Sequence, residues 1–283
     1  MIVVTGASGQ LGRLVIQELL ARVPASSIVA AVRKPASVAD LAAKGVQVRE
    51  ADYTRPETLD AAFKGADKVL LISSSEVGQR VAQHRHVVDA VKRAGVSLLA
   101  YTSLLHADTS PLGLAAEHVA TEAAIQASGV PAVILRNGWY TENYLASVPV
   151  ALQHGAFIGC AGAGRIASAA RADYAAAAAA ALTQEGQAGR VYELAGDESY
   201  TLSDLAAALS AATGKQIPYV DLPQSEFEAA LAGAGLPQPV AALLADSDAG
   251  AARGGLFDDG HQLSGLIGRP TSSLVSLLKH ALA

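Results

Sequence analysis

The stretch IVVTGASGQLG, residues 2–12, decides the fold of this chain. It joins a short apolar run, typical of a buried strand, to a glycine-rich turn and then to a helical pattern over residues 10–22. Glycine at Gly6, Gly9 and Gly12 permits backbone angles that other residues avoid and lets a phosphate approach closely. The first N–H groups of the following helix favour an anion. The stretch therefore predicts a strand–turn–helix unit that binds a pyrophosphate.

Five further apolar runs follow the first strand, with helix-length segments between them. The runs are continuous rather than alternating, which indicates strands buried on both faces. Six strand–helix units in succession predict an α/β, Rossmann-like, doubly wound parallel sheet with a ligand at the carboxyl ends of its strands. The predicted strands are 2–5, 27–32, 46–50, 68–73, 97–103 and 131–136, and the clearest predicted helices are 10–22, 56–65, 79–94 and 114–128.

The regular alternation ends after Arg136. We therefore divide the chain into an NADP-binding Rossmann domain, residues 1–136, and a smaller C-terminal α/β lobe, residues 137–283, which is partly interleaved with the first and covers the site. Asp173 is the predicted N-cap of an alanine-rich helix in that lobe. Helices are predicted there at 141–155, 174–182 and 203–213, the last capped by Thr201 or Ser203, with a strand at 190–196.

Composition limits the class of protein. The chain has 283 residues, of which 51% are hydrophobic and 17% charged, and its net charge is −5. No apolar run approaches the ~18 residues of a membrane span, and a weakly acidic balance argues against nucleic acid as a partner. The single cysteine, Cys160, is expected to be a small buried residue and fits a reducing compartment. We expect a cytoplasmic protein without a signal peptide or a metal site; the oligomeric state stays open.

The end of the second strand distinguishes the two nicotinamide cofactors. A protein that binds NAD commonly carries an acid there, about 20 residues past the glycines, for the ribose hydroxyls. This chain has Arg33 and Lys34 instead, and no acid before Asp40. A guanidinium suits the 2′-phosphate of NADP and stacks on adenine. The sequence therefore predicts NADPH as the cofactor, with NADH weaker.

Polar residues also follow the third and fourth strands. Asp52 either contacts the adenine amino group or caps the helix at 56–65, and the residues leave both open. Ser73, Ser74 and Ser75 close the fourth strand, where the chain passes the cofactor ribose. Their small side chains allow that contact.

The usual proton donor of short-chain dehydrogenases is missing. Such enzymes carry a Tyr-x-x-x-Lys pair on the helix after the fifth strand, but the slot here holds Leu114 and His118. A ketone needs that acid because its oxygen becomes an alkoxide as hydride arrives. An acceptor that spreads the developing charge over an aromatic ring, or whose positive charge the hydride neutralises, does not need such an acid. The sequence therefore predicts a hydride-only site that works mainly by positioning.

The loop RNGWYTEN, residues 136–143, follows the sixth strand at the mouth over the nicotinamide. Trp139 and Tyr140 offer flat faces to a planar acceptor, or Trp139 anchors the second lobe. Asn137 bonds the carboxamide or an acceptor oxygen. Tyr140 is one of two catalytic candidates.

The second catalytic candidate is His106, just beyond the fifth strand. Its ordinary pKa near neutrality suits a proton relay, and a surface loop position is the alternative. His118 either bonds the ribose or lies on the helix surface. His84 and His86 are two residues apart on a predicted helix and face different ways, so they indicate no metal site.

Five motifs together resemble one family. They are TGASGQLG (5–12), VRKP (32–35), YTSLLHADTSPLGLA (101–115), LRNGWYTENYL (135–145) and GGLFDD with LIGRPTSSL (254–259 and 266–274). The chain resembles the NmrA-like, atypical short-chain dehydrogenases, in the branch of type 2 quinone oxidoreductases and triphenylmethane reductase. The resemblance spans essentially the whole chain and implies a bilobed NADPH-binding quinone reductase. By position it assigns cofactor contacts to Gly6, Ala7, Ser8, Gly9, Gln10, Leu11, Arg33, Ser73, Ser74, Ser75, Asn137, Gly138, Trp139, Tyr140, Thr141 and Glu142.

Other functions stay open at this point. A regulatory protein that senses NADP(H) without turnover would also lack the tyrosine–lysine pair. An epimerase or a plant-phenolic type of reductase would keep a catalytic lysine in this region, which is absent here. We predict an NADPH-dependent oxidoreductase that transfers a hydride to quinones or similar planar acceptors, with the sensing protein as the alternative.

Overall fold

The computed structural model describes all 283 residues. The nine strands are β1 Ile2–Thr5, β2 Ile28–Val32, β3 Gln47–Glu50, β4 Lys68–Leu71, β5 Leu98–Leu104, β6 Ala132–Asn137, β7 Phe157–Gly159, β8 Val191–Leu194 and β9 Tyr219–Asp221. The thirteen α-helices are α1 Gln10–Leu20, α2 Ala39–Ala43, α3 Pro56–Ala62, α4 Arg80–Ala94, α5 Ala115–Ser128, α6 Thr141–Leu145, α7 Val148–His154, α8 Arg171–Thr183, α9 Leu202–Thr213, α10 Gln224–Gly233, α11 Gln238–Ala252, α12 Gln262–Ile267 and α13 Leu274–Leu282.

Seven strands form one parallel sheet in the order β3-β2-β1-β4-β5-β6-β8. The chain winds outward in one direction from β1 to β3 and in the other from β4 onward, so the connections leave a crevice at the carboxyl ends of β1 and β4. The predicted doubly wound parallel sheet is confirmed. Each of the six predicted strands matches the observed one to within two residues. Five of them are apolar runs that are largely buried, as expected of strands covered on both faces, whereas the edge strand β3 is half-buried.

The seventh strand comes from beyond the predicted domain boundary. β8 pairs in parallel with β6, and α8 packs on α1 through a run of small side chains, Ala175–Ala181, that is almost wholly buried. Alanine allows the two helix backbones to approach closely, which larger side chains would prevent. Residues 171–194 therefore complete the Rossmann layer although they follow the predicted boundary at residue 136.

The second lobe has its own apolar core. It is built from β7, β9, α6, α7, α9 and α13, and it includes Trp139, Tyr144 and Phe157. Cys160 is buried beside it and its thiol donates to the carbonyl oxygen of Ala245, as expected for a small buried residue. None of the thirteen helices combines the length and the apolarity that a membrane-spanning helix needs.

Some predicted helix details were wrong. The helix expected over residues 141–155 is two helices, α6 and α7, although it does end at Gly155 in the left-handed conformation. Asp173 is not an N-cap, because α8 begins after Ala170. The Asp173 carboxylate is fully buried instead, where it accepts the Ser272 N–H and pairs with Arg269. It therefore ties the C-terminal segment to the Rossmann layer.

The cap of α9 was predicted correctly. The hydroxyl oxygen of Thr201 accepts from the Asp204 N–H, and the Asp204 carboxylate accepts from the Thr201 N–H. This reciprocal capping box satisfies two N–H groups that the helix itself leaves free.

Candidate cofactor and active site

A groove of about 460 Å³ lies at the carboxyl ends of the central strands. The glycine turn after β1 and the start of α1 form one side of it, and the segment after β4 forms another. Predicted cofactor residues on the groove are Gly6, Ser8, Gly9, Gln10, Leu11, Arg33, Ser73, Ser74, Ser75 and Tyr140. Further lining residues are Gly12, Val32, Ala51, Asp52, Tyr53, Ile72, Glu76, Arg80, Gln83 and Arg171.

The glycine turn is too tight for side chains. Gly6 has a φ of 60°, in the left-handed region that favours glycine, and its carbonyl accepts the Gly9 N–H at 2.9 Å. A Cβ on Gly12 would stand 2.5 Å from the Gly6 carbonyl oxygen. No side chain caps the N-terminus of α1 at Gly9. The turn therefore presents bare backbone N–H groups to the groove, which suits a pyrophosphate.

The adenosine end of the groove, as we call the part around Arg33, Asp52 and Glu76, is open and charged. The Arg33 side chain is 68% exposed, and its Nη1 donates to Glu76 Oε1 at 3.0 Å. Asp52 is not a helix cap, since its carboxylate accepts from the N–H and hydroxyl of Thr54 and α3 begins after Arg55. Burial opposes ionisation of Asp52, yet the Thr54 hydrogen bonds hold its pKa below the ordinary value. Asp52 therefore stays an anion beside the groove.

The segment Ser73–Ser75 is held by side chains from α4 and β5. The Ser73 N–H donates to Thr102 Oγ1 at 2.9 Å, and the Ser74 N–H donates to His84 Nε2 at 2.9 Å. The carbonyl of Ser74 accepts from Arg80 Nε at 2.7 Å. The Ser74 hydroxyl also accepts the Glu76 N–H at 3.2 Å, so these bonds fix the backbone of the segment and leave the hydroxyls of Ser73 and Ser75 available along the groove.

His84 was not predicted as a site residue. Because Nε2 accepts a backbone N–H, the proton resides on Nδ1, which donates to Thr121 Oγ1 at 2.9 Å. Burial lowers the pKa of His84 to about 3, so the ring is neutral. The sequence did carry a signal, since His84 shares the buried face of α4 with Val87, Val88 and Val91 at helical spacing.

The nicotinamide end of the groove, as we call the part at Tyr140 and Arg171, is half-buried, and the predicted cofactor residue Asn137 lies beside Tyr140 without lining the groove. Asn137 is 5% exposed and its Oδ1 has no hydrogen-bond partner. The Arg171 guanidinium lies 4.6 Å from the centre of the Tyr140 ring, and Tyr174 packs edge-on to that ring at 5.3 Å. Burial raises the pKa of Tyr140, so its hydroxyl keeps its proton.

The unpaired Asn137 oxygen fits a carboxamide ligand. A buried acceptor without a partner is costly and rare in folded proteins. The amide of a nicotinamide ring carries the N–H donor that such an oxygen lacks. The bare glycine turn and Arg33 line the groove and suit the two phosphate sites of a nicotinamide dinucleotide, whereas Asn137 itself does not line it.

Several predicted cofactor residues do not line the groove. Trp139 is 7% exposed and packs in the core of the second lobe, so it anchors that lobe and offers no flat face to an acceptor. Gly138 is hemmed in by Tyr174 and donates its N–H to Leu194. The remaining ones are fully buried or bonded to neighbouring protein groups: Ala7, Thr141 (hydroxyl 2.7 Å from Ser168 Oγ) and Glu142 (accepting the Arg171 N–H at 2.9 Å).

His118 does not lie on the helix surface, so that expectation was wrong, and it does not line the groove, so the ribose contact stays a prediction. It is buried, and its Nδ1 is 2.7 Å from the hydroxyl of Tyr101. Burial, assisted by the nearby Arg80, lowers the pKa of His118 to about 3, and burial raises that of Tyr101. Neither residue lines the groove. The slot of the missing tyrosine–lysine pair has therefore become part of the packed interior.

His106 also lies outside the groove lining. Its backbone adopts a φ of 50°, and its N–H donates to Glu193 Oε2 at 2.8 Å. The ring Nε2 is 3.2 Å from Asp258 Oδ2. Glu193 also accepts from Arg136, which bonds Glu122 as well. The proton relay at His106 thus stays a prediction, and the residue itself belongs to a charged cluster at the ends of β5, β6 and β8.

Comparison with known proteins agrees with this geometry. A family model described as NAD(P)H-binding matches residues 6–185. Quinone oxidoreductase 2 of Escherichia coli strain K12 is 59% identical over 280 residues, which cover 99% of this chain and 98% of that protein.

Solved structures match over the whole length. The crystal structure of an NADPH-dependent quinone oxidoreductase of Escherichia coli complexed with NADPH has a TM-score of 0.98 and 58% identity, covering 100% of both chains. That of the Citrobacter sp. triphenylmethane reductase complexed with NADP(H) has a TM-score of 0.96 and 38% identity, covering 99% of this chain and 100% of that one. The chain therefore belongs to the NAD(P)H-binding family.

Proposed function

We propose that this protein is an NADPH-dependent quinone reductase, which transfers a hydride to quinones or similar planar acceptors without a tyrosine–lysine acid. The observation that carries the proposal is the groove itself. It presents a bare glycine turn between a cationic end at Arg33 and a buried aromatic end at Tyr140. The full-length similarity to a quinone oxidoreductase supports the same activity.

NADPH, when bound, supplies the hydride. The backbone N–H groups of the glycine turn and the N-terminus of α1 hold the pyrophosphate, and Arg33 holds the 2′-phosphate. The hydroxyls of Ser73–Ser75 bond the ribose. Asn137 Oδ1 accepts from the carboxamide, which fixes the orientation of the ring, and Arg171 adds positive charge that favours an anionic cofactor.

The acceptor lies against Tyr140 at the nicotinamide end. The ring of Tyr140 packs against Arg171 and Tyr174, which hold it in one orientation beside the acceptor. Its raised pKa keeps the phenol neutral, and a neutral hydroxyl donates a hydrogen bond to an acceptor oxygen as negative charge develops there. Because a reduced quinone spreads that charge over an aromatic ring, this single donor suffices.

The buried state of His118 supports a mechanism dominated by positioning. The residue that replaces the usual lysine is enclosed and neutral, so it transfers no proton to a ligand in the groove. Catalysis then rests on holding donor and acceptor in contact. The acceptor is accordingly one that needs no strong acid, such as a quinone or a cationic dye.

The lone buried cysteine supports a cytoplasmic location.

The test is a panel of acceptors. NADPH oxidation is followed by the loss of nicotinamide absorbance with quinones, cationic triphenylmethane dyes and simple aldehydes. We expect quinones and dyes to be reduced and aldehydes to be inert, and deuterium at the transferred position of NADPH to slow single-turnover reduction. Tight NADPH binding without reduction of any acceptor would instead establish a cofactor-sensing protein.

A further inference from the structure

The arginine that was assigned to the 2′-phosphate is already bonded to an acidic residue. Arg33 makes one side-chain hydrogen bond, from Nη1 to Glu76 Oε1 at 3.0 Å. The second oxygen of the same carboxylate accepts from Gln83 Nε2 at 2.7 Å. Gln83 is buried, and both it and Glu76 line the groove. Gln83 therefore holds the Glu76 carboxylate in place at the adenosine end, where it is bonded to Arg33.

The other arginines of the groove are engaged elsewhere. Arg80 is buried, and its guanidinium bonds the Ser74 carbonyl and pairs with Glu117. Arg171 lies over Tyr140 at the nicotinamide end. Arg33 is thus the guanidinium available to a phosphate at the adenosine end, and the Glu76 carboxylate is already bonded to it.

We infer that Glu76 is a specificity-determining residue, which competes with the 2′-phosphate for Arg33 and so restrains the preference for NADPH over NADH. This inference rests on NADPH being the cofactor of the proposed function. A carboxylate and a phosphate monoester offer a guanidinium the same kind of charged oxygen acceptor. The Glu76 carboxylate thus takes the place at Arg33 that the 2′-phosphate of NADPH would take.

The Glu76 carboxylate affects the binding of the two cofactors differently. NADPH must displace Glu76 from Arg33, or share the arginine with a negative charge beside its phosphate, and either lowers its affinity. NADH carries a neutral hydroxyl at the same position, so it leaves the Arg33–Glu76 pair intact. Removing the negative charge of Glu76 should therefore benefit NADPH selectively.

The expected effect is modest because the pair is exposed. Arg33 and Glu76 side chains are 68% and 45% exposed, so water and salt screen their attraction. The corresponding gain in NADPH affinity is roughly two- to five-fold at low salt, the range that measured exposed ion pairs allow. Higher ionic strength should reduce it.

The experiment compares Glu76→Gln with the wild-type protein. Dissociation constants are measured for NADPH and NADH, and for 2′,5′-ADP and 5′-AMP, which lack the nicotinamide and report only on the adenosine end. We expect tighter binding of NADPH and 2′,5′-ADP, with NADH and 5′-AMP unchanged within twofold. Glu57→Gln is the matched control, because Glu57 is an exposed acid paired with Arg55 and lies off the groove.

The contrary outcomes are equally specific. Weaker NADPH binding in Glu76→Gln would show that Glu76 orients Arg33 rather than competing for it. Equal tightening of both cofactors would reduce the effect to general repulsion of phosphates. A gain that persists when Arg33→Ala is combined with Glu76→Gln would also overturn the inference. Failure of the proposed function is distinguishable, since these binding constants require no turnover and quinone reduction is assayed separately.

Discussion

The two ends of the groove differ in the solvent exposure of the side chains that form them. The adenosine end uses exposed charges, Arg33 and Glu76, whose interactions water screens and ligands exchange readily. The nicotinamide end combines the half-buried Tyr140 with the buried Asn137, for which an unmet hydrogen bond is costly. Under the proposed function, exposed charges at one end can tune the choice of cofactor at a small cost in free energy, while the more buried end would hold the reacting ring in one geometry.

The glycine turn lies between the two ends, and blocking it should affect both. A Cβ on Gly9 would stand 3.3 Å from the Gly6 carbonyl oxygen, a contact that the fold can absorb, but valine would fill the space of the pyrophosphate. We expect Gly9→Val to remain folded and to bind NADPH more than about 100-fold more weakly. Titration of nicotinamide fluorescence and a thermal unfolding curve measure the two properties. A folded Gly9→Val variant with normal affinity would locate the nucleotide site elsewhere.

Activity should fall strongly when the side-chain amide of Asn137, next to the nicotinamide end, is removed. Asn137→Ala removes the Oδ1 that is proposed to accept from the carboxamide, so the ring loses its orientation. We expect kcat/KM with NADPH to fall roughly 10- to 100-fold, as for a buried hydrogen bond. Binding of 2′,5′-ADP serves as the internal control and should be unchanged. Equal losses in both measurements would mean that Asn137 supports the fold and not the ring.

The exposed adenosine end should respond less, and selectively. Arg33→Ala removes the charged donor to the 2′-phosphate, and solvent exposure limits the loss of NADPH affinity to about 10-fold. NADH affinity should be nearly unaffected. Arg55→Ala is the control, since Arg55 is a similarly exposed arginine that pairs with Glu50 and Glu57 off the groove. If NADH and NADPH weaken equally, Arg33 does not recognise the 2′-phosphate.

The smallest effect is expected where a buried side chain acts through the backbone. In His84→Leu the Ser74 N–H loses its acceptor, and the Ser73–Ser75 segment is held less firmly. We expect the KM for NADPH to rise by roughly threefold or more, with kcat little changed. His84→Gln places an amide oxygen near the same N–H and should recover part of the loss. Equal behaviour of the two variants, or a fall in kcat alone, would speak against a positioning role.

The sequence predicted whatever depends on local backbone rules. Gly6 and the turn around it are required by a left-handed φ and a close approach, and both follow from residue type at fixed spacing. The strands follow from continuous apolar runs. Arg33 followed from its place at the end of β2, and the structure puts it on the groove.

The local rules did not reveal how the second half of the chain is shared between the lobes. The residues of β8 predict a short strand, but they do not indicate that this strand pairs with β6. Likewise, the alanines of α8 show close packing but not that α1 is the partner. Such pairings depend on which distant surfaces meet, so the sequence predicted that the second lobe is partly interleaved with the first without showing which of its segments join the sheet.

The sheet, the glycine turn and the cationic strand end could be predicted from the residues alone, because each is encoded within a few consecutive residues. The packing of the whole chain was needed to show that Trp139 is an anchor, that His118 is enclosed with Tyr101, and that Glu76 reaches Arg33. Aromatic, histidine and acidic side chains suit both a binding site and an interior or surface pair, so residue type does not choose between them. The choice depends on burial and on partners that lie 17 residues away for His118 and 43 residues away for Glu76.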